Sequence, residues 1–313
     1  MDPVISVRGL RKLYGEVVAV DGVDLEVARG EVFALLGPNG AGKTTTIEIL
    51  EGYRRRTAGD VLVLGEDPEH GGAAWKSRIG IVLQTTSAFE ELTVEEVVAH
   101  FARFYPDPLD PREVVGMVGL AEKRTSRCAS LSGGQKRRVD VALGIVGRPE
   151  LIFLDEPTTG FDPVARRQAW ELVERLTDLG ATIVLTTHYL DEAEYLADRA
   201  GIIIGGEIVE VASPREIGGR STAAARVTFK AEGPLAVLAL PRLPASDVAQ
   251  VDGGLVTIHT ETPTGVVAAL AGWAAGAGME EVPELTVTRP SLEDVYIRMI
   301  AAHAAATGTE VAV

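Results

Sequence analysis

Cysteine occurs once, at Cys128, so an internal disulfide framework is excluded and a reducing cytosol suits the chain. Its thiol is expected to be free and buried. Basic residues are also scarce: 30 Lys and Arg stand against 45 Asp and Glu, a formal net charge of −15. The deficit is spread along the chain, with 5 basic and 10 acidic residues in 221–313 and 25 against 35 upstream. A dedicated nucleic-acid binder needs a basic face to neutralise phosphates, so this balance speaks against that class and leaves room only for a local patch. No stretch reaches the roughly 18 uninterrupted apolar residues that span a bilayer. The longest weakly apolar run, Gly265–Gly278, is Ala- and Gly-rich, too short, and reads as an ordinary helix. Met1–Arg8 lacks the charged-then-apolar pattern of a leader, so the expectation is a soluble, cytoplasmic protein.

What is present is the composition of a folded protein, 46% apolar and 24% charged over 313 residues, enough for one large α/β domain and a smaller appendage. Strand-like segments at Ile5–Val7 and Val23–Val27 precede a strongly apolar strand, Glu31–Leu36, that runs into Gly-Pro-Asn-Gly. A helix is expected from Lys43 to about Glu51 and a strand at Ile79–Leu83. From Thr85 to about Arg148 the pattern turns helical, with Val94–Tyr105 opened by a Thr93-x-x-Glu96 capping box, which reads as a helical insertion. Leu151–Leu154 is a short continuous apolar run, as in a parallel strand buried on both faces, and Ala181–Leu185 reads as the next buried strand. Between them Asp162 is placed to cap a helix with Pro163 at its first position, Leu172, Leu176 and Leu179 on one face, and Gly180 past its end. A further helix is expected at Asp191–Ala197. Strands alternating with helices argue for a parallel, doubly wound core. The pattern breaks at Pro214 and Gly218-Gly219. Residues 221–313 then show strand-like runs at Ala225–Lys230, Leu255–Glu261 and Glu284–Thr288 and a helix from about Ser291, a small α+β domain whose end, Ala304–Val313, reads as frayed.

Gly37-Pro38-Asn39-Gly40-Ala41-Gly42-Lys43-Thr44-Thr45 fits G-x-x-x-x-G-K-[ST] between a strand and a helix. Glycines let consecutive N–H groups turn toward phosphate oxygens, and the helix N-terminus adds partial positive charge. Lys43 is expected to reach the β- and γ-phosphates and Thr44 to bind Mg²⁺. Asp155 and Glu156 close the Leu151–Leu154 strand, and ligands of open α/β sheets bind beyond the carboxyl ends of strands. The pattern of phosphate-loop NTPases assigns Asp155 to Mg²⁺ through water and frees Glu156 to act as general base on an attacking water.

The order of motifs narrows the class: the phosphate loop, a lone Gln84, Leu131-Ser132-Gly133-Gly134-Gln135, Leu151-Ile-Phe-Leu-Asp-Glu156, then Thr187-His188. Over residues 1–220 this closely resembles the ATP-binding cassette (ABC) ATPases. The resemblance implies a cassette with a mostly parallel sheet core, an antiparallel β subdomain and a helical subdomain at about 86–148, followed by the accessory domain 221–313. It implies that Tyr14, 23 positions before Gly37, stacks on adenine. Gln84 would contact Mg²⁺ and sense a transport partner, while Ser132, Gly133, Gly134 and Gln135 cap the γ-phosphate of an opposite subunit. Asp162 matches the aspartate that follows the catalytic strand, and His188 the histidine that contacts γ-phosphate and organises Glu156. The one departure noted, Phe161 where Leu is commoner, touches no catalytic position.

Gly134–Leu143, Thr158–Pro163 and His188–Glu194, with Arg289–Tyr296 near the end, most resemble the daunorubicin-resistance-type ATPases of ABC-2 exporters. That implies a separate polytopic membrane subunit, contacted through the Gln84–Tyr105 region, and an ATP-dependent head-to-tail homodimer on the inner face of the membrane. A solvated helix is the plainer reading of Val94–Tyr105. Two other readings stay open at this point: a soluble ABC protein acting on ribosomes or nucleic acid, and an ATP-binding regulator without turnover.

Overall fold

The computed structural model describes residues 3–82, 89–178, 180–236, 239–243 and 246–307. The chain falls into two compact units, Met1–Pro214 with His303–Val313, and Arg215–Ala302. The first begins β1 (Ile5–Tyr14), β2 (Val17–Val27), β3 (Val32–Leu36), α1 (Lys43–Leu50), β4 (Ala58–Val63), α2 (Ala73–Lys76) and β5 (Ile79–Val82). Three helices follow, α3 (Val94–Ala102), α4 (Pro111–Met117) and α5 (Gly133–Ile145). The unit then continues as β6 (Leu151–Asp155), α6 (Pro163–Asp178), β7 (Thr182–Thr187), α7 (Leu190–Leu196), β8 (Arg199–Ile204) and β9 (Glu207–Ala212).

The main sheet has the order β5-β6-β7-β3-β8-β9; all pairings are parallel except β8–β9. Every residue of β3 and β7 is buried: β3 reads as an unbroken apolar run, while in β7 the apolar Ile183–Leu185 is flanked by buried threonines. A second, antiparallel sheet has the order β2-β1-β4. Its inner face (Val7, Leu10, Val20, Leu25 and Val61 among others) forms one core with Phe33, Leu35 and Trp75. The Trp75 indole is satisfied there, its Nε1 donating to the Val63 carbonyl at 2.8 Å. In the helical segment, α3 opens on the expected box: Thr93 N donates to Glu96 Oε2 at 2.9 Å and Glu96 N to Thr93 Oγ1 at 3.3 Å.

The Arg215–Ala302 unit carries the sheet β11 (Ser246–Asp252), β12 (Leu255–Thr260), β10 (Ala225–Lys230) and β13 (Thr286–Thr288), antiparallel throughout. One face packs on α8 (Pro263–Gly276) through Val227, Phe229, Val256, Ile258, Val266 and Leu270. The Gly265–Gly278 run is thus a core-facing helix. The last helix, α9 (Leu292–Thr307), is intact beyond Ala304, correcting the expected fraying there; residues 308–313 lie outside the described ones. Strands β4, β8, β9 and β11 had no counterpart in the sequence reading, and β1 and β2 run longer than expected.

Candidate functional site

Three neighbouring strands end together. In register, Leu36 of β3 lies opposite Thr187 of β7, and Thr186 of β7 opposite Asp155 of β6. The chain therefore delivers Gly37, Glu156 and His188 to one edge of the sheet, the carboxyl edge where such sheets bind ligands.

The Gly37–Thr45 loop is held from behind. A Cβ on Gly37 would meet the Ile203 carbonyl at 2.3 Å, and one on Gly42 the Ala19 carbonyl at 2.5 Å. Gly42 also sits at φ +103° as the N-cap of α1, a conformation that L side chains avoid. At Gly40 (φ +79°) the space is open, so there the need is conformational alone. Lys43 is buried, and its Nζ donates to the carbonyls of Gly37 at 2.6 Å and Pro38 at 3.1 Å. Burial pulls its pKa down, and the charges of Glu156 and Asp155 act against that. The lysine thus feels both carboxylates while anchored to the loop. Thr44 is exposed and Thr45 half-buried at the start of α1; buried Thr46 serves the fold, donating to the Gly42 carbonyl at 2.9 Å.

Glu156 carries the local strain. It is a non-glycine residue at φ +45°, a left-handed conformation costing about 1–2 kcal/mol. The turn is fixed by Thr186, whose Oγ1 accepts from Glu156 N at 3.1 Å and donates to Asp155 Oδ1 at 2.5 Å. The Glu156 carboxyl is held at both oxygens: Thr159 Oγ1 donates to Oε2 at 3.0 Å, and His188 Nδ1 lies 3.1 Å from Oε1. Thr186 and Thr159 were not singled out in the sequence; the first lies one residue before Thr187-His188, where a buried hydroxyl in an apolar strand was the available signal. Arg137 is a second missed residue. Buried on α5, it donates from Nη2 to the Asp155 carbonyl at 2.9 Å. A third is Glu51, buried at the C-terminus of α1, where burial and then the charges of Asp155 and Glu48 push its carboxyl up to about 8.

The Ser132–Gln135 segment begins α5 with a capping box: Gln135 N donates to Ser132 Oγ at 3.3 Å, and Ser132 N to Gln135 Oε1 at 3.0 Å. Among the described residues no hydrogen bond joins it to the Gly37–Thr45 loop. A Cβ on Gly133 would meet nothing within 4 Å, and one on Gly134 only the Ala165 Cβ at 3.9 Å. Neither glycine is demanded by the packing of its own chain. Asp162 caps α6, its Oδ1 accepting from Val164 N at 2.8 Å and Ala165 N at 2.9 Å. Tyr14 is part-exposed at the end of β1, with Lys12 Nζ 5.0 Å and the Arg54 guanidinium 5.3 Å from its ring centre. Gln84 lies outside the described residues. Among the described residues no three His, Cys, Asp or Glu side chains cluster to hold a metal, and no helix is long and apolar enough to cross a membrane.

Beside α3, a groove of about 520 Å³ is lined by Tyr53, Ile81, Phe89, Phe101, Tyr105 and Leu143. The Phe89 and Phe101 rings meet edge-on at 5.3 Å, and Tyr53 and Phe104 are largely exposed.

The family profile "ABC transporter" matches residues 20–159, and "ABC transporter domain-containing protein-like, C-terminal domain" matches residues 225–291. The chain is 35% identical over 310 residues to the daunorubicin resistance ATP-binding protein DrrA3 of Streptomyces coeruleorubidus, covering 95% of this chain and 96% of that one. It is 35% identical over 304 residues to the Nod factor export ATP-binding protein I of Ralstonia nicotianae, covering 95% and 94%. Among solved structures, cbiO1 from Clostridium perfringens, part of the ABC transporter complex cbiONQ, superposes with a TM-score of 0.62 at 28% identity, covering 69% of this chain and 91% of that one.

Proposed function

The chain belongs to the ABC transporter ATP-binding proteins and is an ATPase; on that premise we propose that it powers an ABC-2-type exporter, driving efflux of a drug-like, lipid or other hydrophobic compound through a separate polytopic membrane subunit. The observation that carries the reading is the convergence of Lys43, Asp155, Glu156 and His188 at the ends of three adjacent strands.

In this reading the backbone N–H groups of Gly40–Thr45 and the start of α1 receive the phosphates of ATP, with Lys43 turning from the loop carbonyls to the β- and γ-phosphates. Tyr14 packs against the adenine. Glu156 takes a proton from the attacking water, its carboxyl aimed by Thr159 and His188. The ionised carboxylate can only accept, so His188 donates from Nδ1; donating from Nε2 to a γ-phosphate oxygen as well requires the imidazolium form, in which both ring nitrogens carry protons. The donor set fits Mg²⁺: Thr44 and Asp155 offer hard oxygens, and Gln84 would add a third. Bound there, magnesium would neutralise charge on the β- and γ-phosphates.

Ser132, Gly133, Gly134 and Gln135 complete the site of a second copy in a head-to-tail dimer. The open space around Gly133 and Gly134 supports this, since an outside group can approach their backbone closely. The aromatic groove beside α3 supports docking of the membrane subunit in the Gln84–Tyr105 region, which would hold the chain on the inner face of the cell membrane. We assign these roles to the cassette, residues 1–220, and an accessory role to 221–313; the acidic charge balance gives no support to a nucleic-acid partner. The test is phosphate release by the purified chain with and without a candidate polytopic membrane subunit that copurifies with it, in reconstituted vesicles. That protein should raise the rate of the wild type and leave Glu156→Gln inactive. A rate indifferent to it would refute the transporter assignment.

A further inference from the structure

The Arg215–Ala302 unit holds 7 of the chain's Lys and Arg residues against 10 acidic ones, yet three of the seven line one cavity of about 300 Å³. Its walls are Arg226, His259, Thr288, Arg289, Asp294 and Arg298, with Ala224 and Pro290. The strand register explains the convergence. Arg226 of β10 lies directly opposite His259 of β12 on one side and Thr288 of β13 on the other, and opposed residues bring their Cβ atoms to about 5 Å. All three project from the sheet face away from α8, whose side is filled by Val227 and Phe229. Asp294 and Arg298 lie four residues apart on α9 and so share a face.

Three of the polar groups are tied to neighbouring residues. Arg289 donates from Nη1 to the carbonyls of Ser221 and Ala223, each at 2.9 Å, and Arg298 Nε donates to the Asp294 carbonyl at 3.3 Å. Asp294 is bound by Ser291, whose N and Oγ donate to its Oδ2 at 2.8 and 2.7 Å. Those bonds, and the nearby charges of Arg226 and Arg298, hold it below the usual carboxylate range. Among the described residues no ion pair within 4 Å neutralises any of the three guanidiniums. Three positive groups against one carboxylate leave a local charge of +2 with His259 neutral, in a chain whose net charge is −15. Guanidinium forks match planar and tetrahedral oxyanions alike, but a +2 cavity balances a phosphate dianion and exceeds what a single carboxylate offers.

We propose that this cavity is a binding site for a dianionic phosphoryl group, distinct from the Gly37–Thr45 loop and carried by a soluble small molecule or a lipid headgroup. The experiment uses the full chain with ring-labelled histidine and saturating Mg·ADP on the nucleotide site. His259 is one of only 5 histidines, so its resonance reports this cavity alone. Inorganic phosphate is titrated in one arm; in the other, flotation is measured with vesicles of phosphatidylcholine alone or containing phosphatidic acid. The double variant Arg226→Gln, Arg298→Gln should retain ATP binding and the wild-type amide spectrum of residues 215–302, which shows that both units fold, and should weaken the response at least tenfold. A saturable His259 shift with phosphate assigns the site to a soluble ligand; flotation on phosphatidic acid without that shift assigns it to a headgroup. No response in either arm, or a response that the variant keeps, overturns the proposal.

Discussion

Replacing Glu51 by Gln is expected to stabilise the cassette, and to do so more strongly as pH rises. The carboxyl is buried at the C-terminus of α1, where the helix dipole also disfavours an anion, and it stays protonated up to about 8, against 4.5 for an unperturbed glutamate. Between those values the unfolded chain has released a proton that the native chain retains, so wild-type stability falls as pH rises. At about 1.36 kcal/mol per pKa unit, ionisation favours the unfolded state by about 1 kcal/mol at pH 5.5 and about 3 kcal/mol at pH 7. Gln cannot ionise and escapes this penalty. Urea unfolding of both proteins at the two pH values should therefore give a stability gap that widens by about 2 kcal/mol, other groups cancelling in the difference. ATP hydrolysis at pH 7 should survive, because the amide imitates the neutral acid already present. A gap that does not change with pH would show that Glu51 ionises normally and that its burial beside Asp155 has been misread.

Three further outcomes test the nucleotide site. Lys43→Ala should lower ATP hydrolysis by about 10²–10³-fold in a phosphate-release assay, the scale for losing one charge-stabilising group; a wild-type rate would remove Lys43 from its role. Glu156→Gln keeps the shape but cannot take the proton, so hydrolysis should fall by about 10²–10⁴-fold while ATP binding persists and gel filtration with Mg·ATP shows a dimer. Monomer alone under those conditions would count against the two-chain site. Gly42→Ala must accommodate both φ +103° and a contact of 2.5 Å with the Ala19 carbonyl; a loss of about 1–3 kcal/mol in thermal unfolding and of nucleotide affinity should follow, and normal values in both would refute the close packing described.

The buried parallel strands were legible because two covered faces leave no polar alternation: β3 and β6 appear as apolar runs, β7 carries the apolar Ile183–Leu185 at its centre, and all three end within two residues of expectation. Asp162 and Thr93 announced their helices through capping chemistry that the structure contains. What stayed hidden depends on a partner elsewhere in the chain. β9 is partly exposed along its length and is a strand only because β8 lies beside it. Arg137 looks like one more base in Lys136-Arg137-Arg138, yet only it is buried, which the helix phase relative to β6 decides. Likewise no local pattern marks Glu51 as neutral, since its ionisation is set by burial first and by Asp155 next, 104 positions away.

The strand that contributes neither the phosphate loop nor the carboxylates is the one that sets the scale of the reaction chamber. β7 lies between β3 and β6, so the strands that lead into the phosphate loop and into the carboxylates run two hydrogen-bonding steps apart across the sheet, about 9.5 Å of backbone separation. Peptide geometry fixes that interval, and side-chain chemistry has little hold on it. A core substitution in β7 that preserves its ladders would alter stability and leave the span unchanged. A proline at Val184 would remove a ladder donor from this central strand and force its ring into the pairing, and so disturb the gauge itself while every reacting residue remained in the sequence.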